Sequence, residues 1–137
     1  MEISWKPYFN LLRISDWGGY FLMSLFGFIL AKGFLFPLNQ VFIFFSLTFL
    51  LLGVGFSVNE CFDTEEDKYN KEKPNVLIGK QISFKRSLFF SILLGVLGLS
   101  LSTMFGLRVF LFCLAGLLMG FFYSAPPLRF KHDLFLI

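Results

Sequence analysis

The chain is 137 residues long, 56% hydrophobic and only 15% charged, with a mean hydropathy of +0.73 and a net charge of +3. A soluble domain of this length needs a charged shell, normally about a quarter of its residues, so the composition excludes one and indicates an integral membrane protein. So small a net charge gives no reason to expect a nucleic-acid partner; what matters is where the cations fall.

Met1 to Asp16 is polar with scattered aromatics and is expected at the membrane interface, where Trp5, Tyr8 and Trp17 suit the aromatic belt. Acidic Glu2 and Asp16 flank its basic residues and the first apolar run begins only at Trp17, which is not the pattern of a cleavable signal. Trp17 to Ala31 is uncharged and Lys32 can snorkel, so a first transmembrane helix is expected over about 16–34. Gly33, Pro37 and Asn39 mark a turn. A second helix is expected over about 38–60, followed by an Asp-rich polar loop over 59–85 that Pro74 and Gly79 interrupt. Two further charge-free runs predict helices over about 86–105 and 108–125, the last ended by Pro126-Pro127. Gly116 and Gly120 form a G-x-x-x-G that would let a neighbouring helix approach closely. The whole is one membrane domain, 1–137, of all-α class: a polytopic bundle of about four transmembrane helices. The 22 Phe residues suit lipid-facing helices and would equally suit a greasy substrate tunnel. Cys61 and Cys113 fall near opposite ends of their helices, beyond the ~7 Å reach of a disulfide, and are expected as reduced thiols.

Lys and Arg fix the expected orientation. Lys6 and Arg13 lie in the N-terminal segment, six cations (Lys68, Lys71, Lys73, Lys80, Lys85, Arg86) in the central loop, and Arg129 and Lys131 in the tail. Only Lys32 and Arg108 occupy the other two connections. Both termini and the central loop should therefore face the cytoplasm.

Asn59, Asp63 and Asp67 are each four residues apart, which on a helix stacks them along one face. An amide and two carboxylates then form a strip of hard oxygen donors at a membrane boundary. Mg²⁺ suits such a strip, because it takes one or two protein carboxylates and completes its octahedron with waters and substrate phosphate oxygens. The same stretch also reads as a solvated loop of mixed charge. On the expected orientation the tail from Tyr123 to Lys131 shares this membrane face. Carboxylates for a metal with Lys and Arg nearby make a diphosphate clamp.

These residues resemble the UbiA-type intramembrane prenyltransferases. The family's N-D-x-x-D-x-x-x-D motif stands here as Asn59 to Asp67, with Glu60 replacing the usual Asp. The downstream D-x-x-N-x-x-x-P, then Gly and Ile-Ser, is matched by Asp67, Asn70, Pro74, Gly79, Ile82 and Ser83. The family's Y-S-x-P-P-L-R-x-K is Tyr123 to Lys131, and Arg13 before Asp16-Trp17 fits the Arg that precedes the first helix. The resemblance implies the N-terminal half of a UbiA-like fold and Mg²⁺-dependent transfer of a prenyl group from its diphosphate to an aromatic or lipid-like acceptor. It assigns Asp63 and Asp67 the catalytic role, with Asn59 as a third metal ligand. Asn59, Arg13, Lys73, Tyr123, Arg129 and Lys131 become substrate contacts. The partners implied are a prenyl diphosphate, a lipophilic acceptor and the bilayer. The family also carries a second Asp-rich motif on a later helix, absent from these 137 residues. Catalysis is therefore expected to need a second half-protein or a homo-oligomer. The competing reading is a non-catalytic four-helix membrane protein or a subunit of a split assembly.

Overall fold

The computed structural model describes residues 5–33, 37–69 and 75–130, and within them every regular element is helical. A short α1 (Lys6–Leu12) leads through a 3₁₀ turn (Ile14–Asp16) into α2 (Gly18–Lys32). Then come α3 (Leu38–Phe62), a single turn α4 (Thr64–Asp67), α5 (Phe84–Ser102) with a 3₁₀ extension to Phe105, and α6 (Leu107–Ser124). α3, the extended α5 and α6 are each long and apolar enough to cross a bilayer. A fourth crossing is available if the first two segments act together, although they bend by 67° between Asp16 and Gly18. α2 alone has 15 residues, about 22 Å at 1.5 Å per residue, short of a ~30 Å hydrocarbon core. The protein is an all-α polytopic bundle.

The boundaries follow from local chemistry. Pro7 stands in the first turn of α1, where a missing N–H costs nothing. Pro37, extended at φ −62° and ψ 143°, caps α3, and Ser83 caps α5 in the same extended region. Gly106, at φ 96°, separates the 3₁₀ turn from α6 with a backbone that a side chain would resist. α6 stops at Ser124, just before Pro126-Pro127.

In a bilayer, helices associate through close packing and interhelical hydrogen bonds, since apolar burial gains little there. α3 and α5 form the principal interface and use small residues for it. A methyl group at Gly53 would stand 3.1 Å from Leu12 Cδ2 and 3.2 Å from Leu94 Cδ1, and one at Gly98 would stand 3.3 Å from Leu51 Cδ2. One turn beyond Gly53, Ser91 Oγ donates to Ser57 Oγ at 2.7 Å and is buried between the helices. The G-x-x-x-G of α6 is not used in this way: methyl groups at Gly116 and Gly120 would meet nothing within 4 Å among the described residues. Both glycines instead line an apolar groove of about 580 Å³ between α3, α5 and α6.

Trp17 departs from the expected belt position. It is buried against Leu12 and Leu94, and its indole N–H donates to the Leu12 carbonyl at 2.8 Å. The wet edge that would draw an indole to the interface is satisfied internally. Leu11 of α1 packs with Val76 and Ile82 of the polar connection. That small apolar cluster ties the N-terminal segment and the loop together beside the end of α3.

Candidate active site

The site is built at the cytoplasm-expected end of α3. The helix stops at Phe62, and Asp63 takes φ −86° and ψ 5°, a sparsely populated region found at turns and functional positions. The i→i+4 register survives the break. Asp63 N–H donates to the Asn59 carbonyl and Asp67 N–H to the Asp63 carbonyl, each at 2.9 Å. The three residues of the strip therefore keep helical spacing although α3 and α4 are separate elements. Asp63 and Asp67 are both buried, 1% and 7% exposed.

The C-terminal motif is docked onto this end. Ser124 Oγ donates to Asn59 Oδ1 at 3.2 Å, across 65 residues of sequence. Arg129, left-handed at φ 36°, donates from Nη2 to the Phe62 carbonyl at 2.9 Å and to Glu66 Oε1 at 2.7 Å. It thus caps the last turn of α3 and binds an acidic residue of α4 at once. Asn59, Tyr123, Ser124 and Tyr20 line a cavity of about 410 Å³ whose other walls are apolar, including Leu52, Gly55 and Phe56. A polar rim over a greasy floor suits a ligand with a charged head and an isoprenoid tail. Asp63 and Asp67 are not among the residues lining it.

On the opposite side, Arg13 approaches Glu60 Oε2 with Nη1 at 3.8 Å and pairs with Asp16. Its own φ of 51° is left-handed, and its guanidinium stands 6.0 Å from the Phe56 ring centroid. Glu60 is 1% exposed and accepts from the Val76 N–H at Oε1, 3.3 Å away. Asn75, 5% exposed, reaches both the Glu60 carbonyl and Asp67 Oδ2. Sequence reasoning did not single out Asn75. Its signal is a short amide directly after Pro74, at the end of a charged connection, where Asx turns are common.

Among the predicted site residues, then, the structure gathers Asn59, Asp63, Asp67, Tyr123 and Arg129 at one end of the bundle, with Arg13 beside Glu60 on the same end of α3. Lys73 and Lys131 lie outside the described residues, as do Asn70 and Pro74 of the downstream motif. Cys61 and Cys113 are free thiols. Among the described residues no group of three or more His, Cys, Asp or Glu side chains is placed to hold a metal. A cation here would rest on the two aspartates, the Asn59 amide and oxygens from ligand or water. That donor set is the one Mg²⁺ favours, and burying two carboxylates together is stabilised by a nearby cation.

Residues 20–136 match the UbiA prenyltransferase family. Curated relatives include three proteins named digeranylgeranylglyceryl phosphate synthase. The protein from Methanococcoides burtonii is 31% identical over 71% of this chain and 37% of its own length. Those from Saccharolobus solfataricus and Sulfurisphaera tokodaii are each 28% identical, over 93% and 89% of this chain and 44% of their own lengths. The chain thus spans less than half the length of these relatives. No solved structure matches it. With the family's sequence pattern covering most of the chain, and with its two motifs joined at one end of a helical membrane bundle, this protein is a member of the UbiA prenyltransferase family.

Proposed function

We propose that this chain forms the diphosphate-binding part of an intramembrane prenyltransferase that moves a prenyl group from its diphosphate to a lipid-like acceptor. The observation that carries the reading is the docking of Ser124 and Arg129 onto Asn59, Phe62 and Glu66, which unites two motifs some 65 residues apart. The relatives' name, with its glyceryl phosphate, favours an acceptor of that chemical class over an aromatic one.

In this reading Asp63 and Asp67, with Asn59, hold Mg²⁺ against the diphosphate. The bound cation neutralises part of the leaving group's charge. Arg129 and Tyr123 border the diphosphate end, and Lys73 and Lys131 supply further cations from the flanking segments. Tyr20, Phe56 and the apolar wall of the 410 Å³ cavity receive the first isoprene unit and keep water from it. Arg13 acts at one remove, through Glu60.

The test is prenyl transfer from geranylgeranyl diphosphate in detergent or vesicles, with the chain alone and with the C-terminal half of a relative co-expressed. Asp63→Asn and Asp67→Asn should each lower Mg²⁺-dependent transfer by at least a hundredfold, the several kcal/mol that one ligand of a charge-neutralising metal supplies. Full turnover by both variants would make the strip a solvated loop. The chain alone should transfer little, because clamping a diphosphate of about three negative charges calls for acidic ligands from more than one element. Robust turnover by the chain alone would mean that a second copy completes the site.

A further inference from the structure

One side chain of the polar connection after α4 reaches directly into the aspartate strip. Asn75 is buried, and each end of its amide is engaged. Nδ2 donates to the Glu60 carbonyl at 2.9 Å and to Asp67 Oδ2 at 2.9 Å. Oδ1 accepts from the Leu77 N–H at 2.9 Å, closing an Asx turn. The two hydrogens face two oxygens and the oxygen faces an N–H, so the orientation of the amide is fixed by its partners. No other short side chain supplies two donors and an acceptor in this geometry. Ser and Asp lack the paired donors, and Gln is a methylene too long to close the same turn.

We infer that Asn75 is a positioning residue that sets the orientation of the Asp67 carboxylate for metal binding. The inference rests on the proposal that Asp67 is a metal ligand. An amide donor on one oxygen restricts the rotation of the carboxylate, so that less reorientation is left for when a cation arrives. Partners of this kind commonly change metal affinity by ten- to a hundredfold although they never touch the ion. The arrangement also places the Asp67 carboxylate in register with α3, because the same Nδ2 holds the Glu60 carbonyl in that helix's last turn. The loop itself is anchored independently of Asn75. Val76 N–H donates to Glu60 Oε1, and Val76 and Ile82 pack on Leu11. Loss of the amide can therefore leave the loop in place while removing one of the bonds that orient the carboxylate.

The experiment titrates Mn²⁺, standing in for Mg²⁺, into the purified 137-residue chain in detergent with inorganic pyrophosphate present, reading bound Mn²⁺ by electron paramagnetic resonance. Asn75→Ser keeps an oxygen able to accept from Leu77 N–H but cannot reach Asp67; Asn75→Ala removes both functions. Both should weaken Mn²⁺ binding about tenfold or more. In the metal-free state, the Val76 and Leu77 amides of Asn75→Ser should stay as protected from hydrogen exchange as in the parent. Parent-like affinity in Asn75→Ser would overturn the inference. So would weakened binding accompanied by loss of that amide protection, since Asn75 would then only hold the loop. Asp67→Asn serves as the control on the underlying reading. If it binds Mn²⁺ like the parent, or if the parent binds none, the metal site itself is wrong rather than its positioning.

Discussion

Glu60 stands where the family's motif has Asp, and its surroundings explain what the longer arm does. It is buried in the last turn of α3, turned toward Arg13 and the Val76 N–H instead of along the strip. The extra methylene lets the carboxylate reach across to a loop, which Asp at this position would not span. Arg129 is the mirror case on the other flank. Its Nη2 alone reaches a helix-end carbonyl and a carboxylate together, one hydrogen to each. Because Arg129 and Glu66 are partly exposed, at 24% and 35%, screening keeps the pair's contribution to about 1 kcal/mol. Arg129→Lys and Glu66→Gln should therefore lower the thermal midpoint in detergent slightly and by similar amounts. Unequal shifts, with Glu66→Gln silent, would show that the Phe62 carbonyl and not the ion pair docks the tail.

Among the elements, the α3–α5 pair sets the rest. Gly53 and Ser57 on α3 are small residues one helical turn apart, and Ser91 and Gly98 on α5 are two turns apart, so the backbones approach and Ser91 bonds across to Ser57. That approach fixes where Asn59 and Asp63 emerge one turn further on. Gly53→Val should destabilise the bundle by about 1–3 kcal/mol through overpacking against Leu12 and Leu94. Gly116→Ala, whose added Cβ meets nothing within 4 Å among the described residues, should stay within about 0.5 kcal/mol. Chemical denaturation in mixed micelles, followed by circular dichroism, measures both. Equal losses would mean that α6 is packed by its glycines after all. The G-x-x-x-G of α6 was the motif legible in sequence, while the small-residue pattern on α3 and α5 does the packing. Spacing alone does not say which small-residue face meets a neighbour.

For the molecule as a whole, orientation follows from the distribution of cations across the connections. We expect the central loop and both ends on the cytoplasmic side, and the turn between α5 and α6 outside. Gln81 and Met104, both exposed, report on these two sides. In a background carrying Cys61→Ala and Cys113→Ala, Met104→Cys should react with an impermeant thiol reagent applied to intact cells. Gln81→Cys should react only after permeabilisation. Labelling of Gln81→Cys in intact cells would invert the topology. It would also move the aspartate strip away from the cytoplasm.

Composition and charge-free run lengths by themselves determined the class and the three crossings of α3, α5 and α6, while the expected first crossing is a bent pair of shorter helices. These depend on the bilayer's thickness and dielectric, which act on each segment separately. The four-residue spacing of Asn59, Asp63 and Asp67 was equally legible, because helical periodicity is a local property. Tertiary structure decided the remainder. It put Trp17 in the core by giving its indole N–H the Leu12 carbonyl, and it bent the N-terminal segment so that Leu11 meets Val76 and Ile82. It turned Arg13 to Glu60 and Arg129 to Glu66, and brought Asn75 onto Asp67. Each of these is a pairing between residues whose partners are chosen by how helices and loops meet in space. A hydrogen bond or ion pair needs its atoms within about 3–4 Å, and sequence spacing fixes such distances only within one turn of one helix.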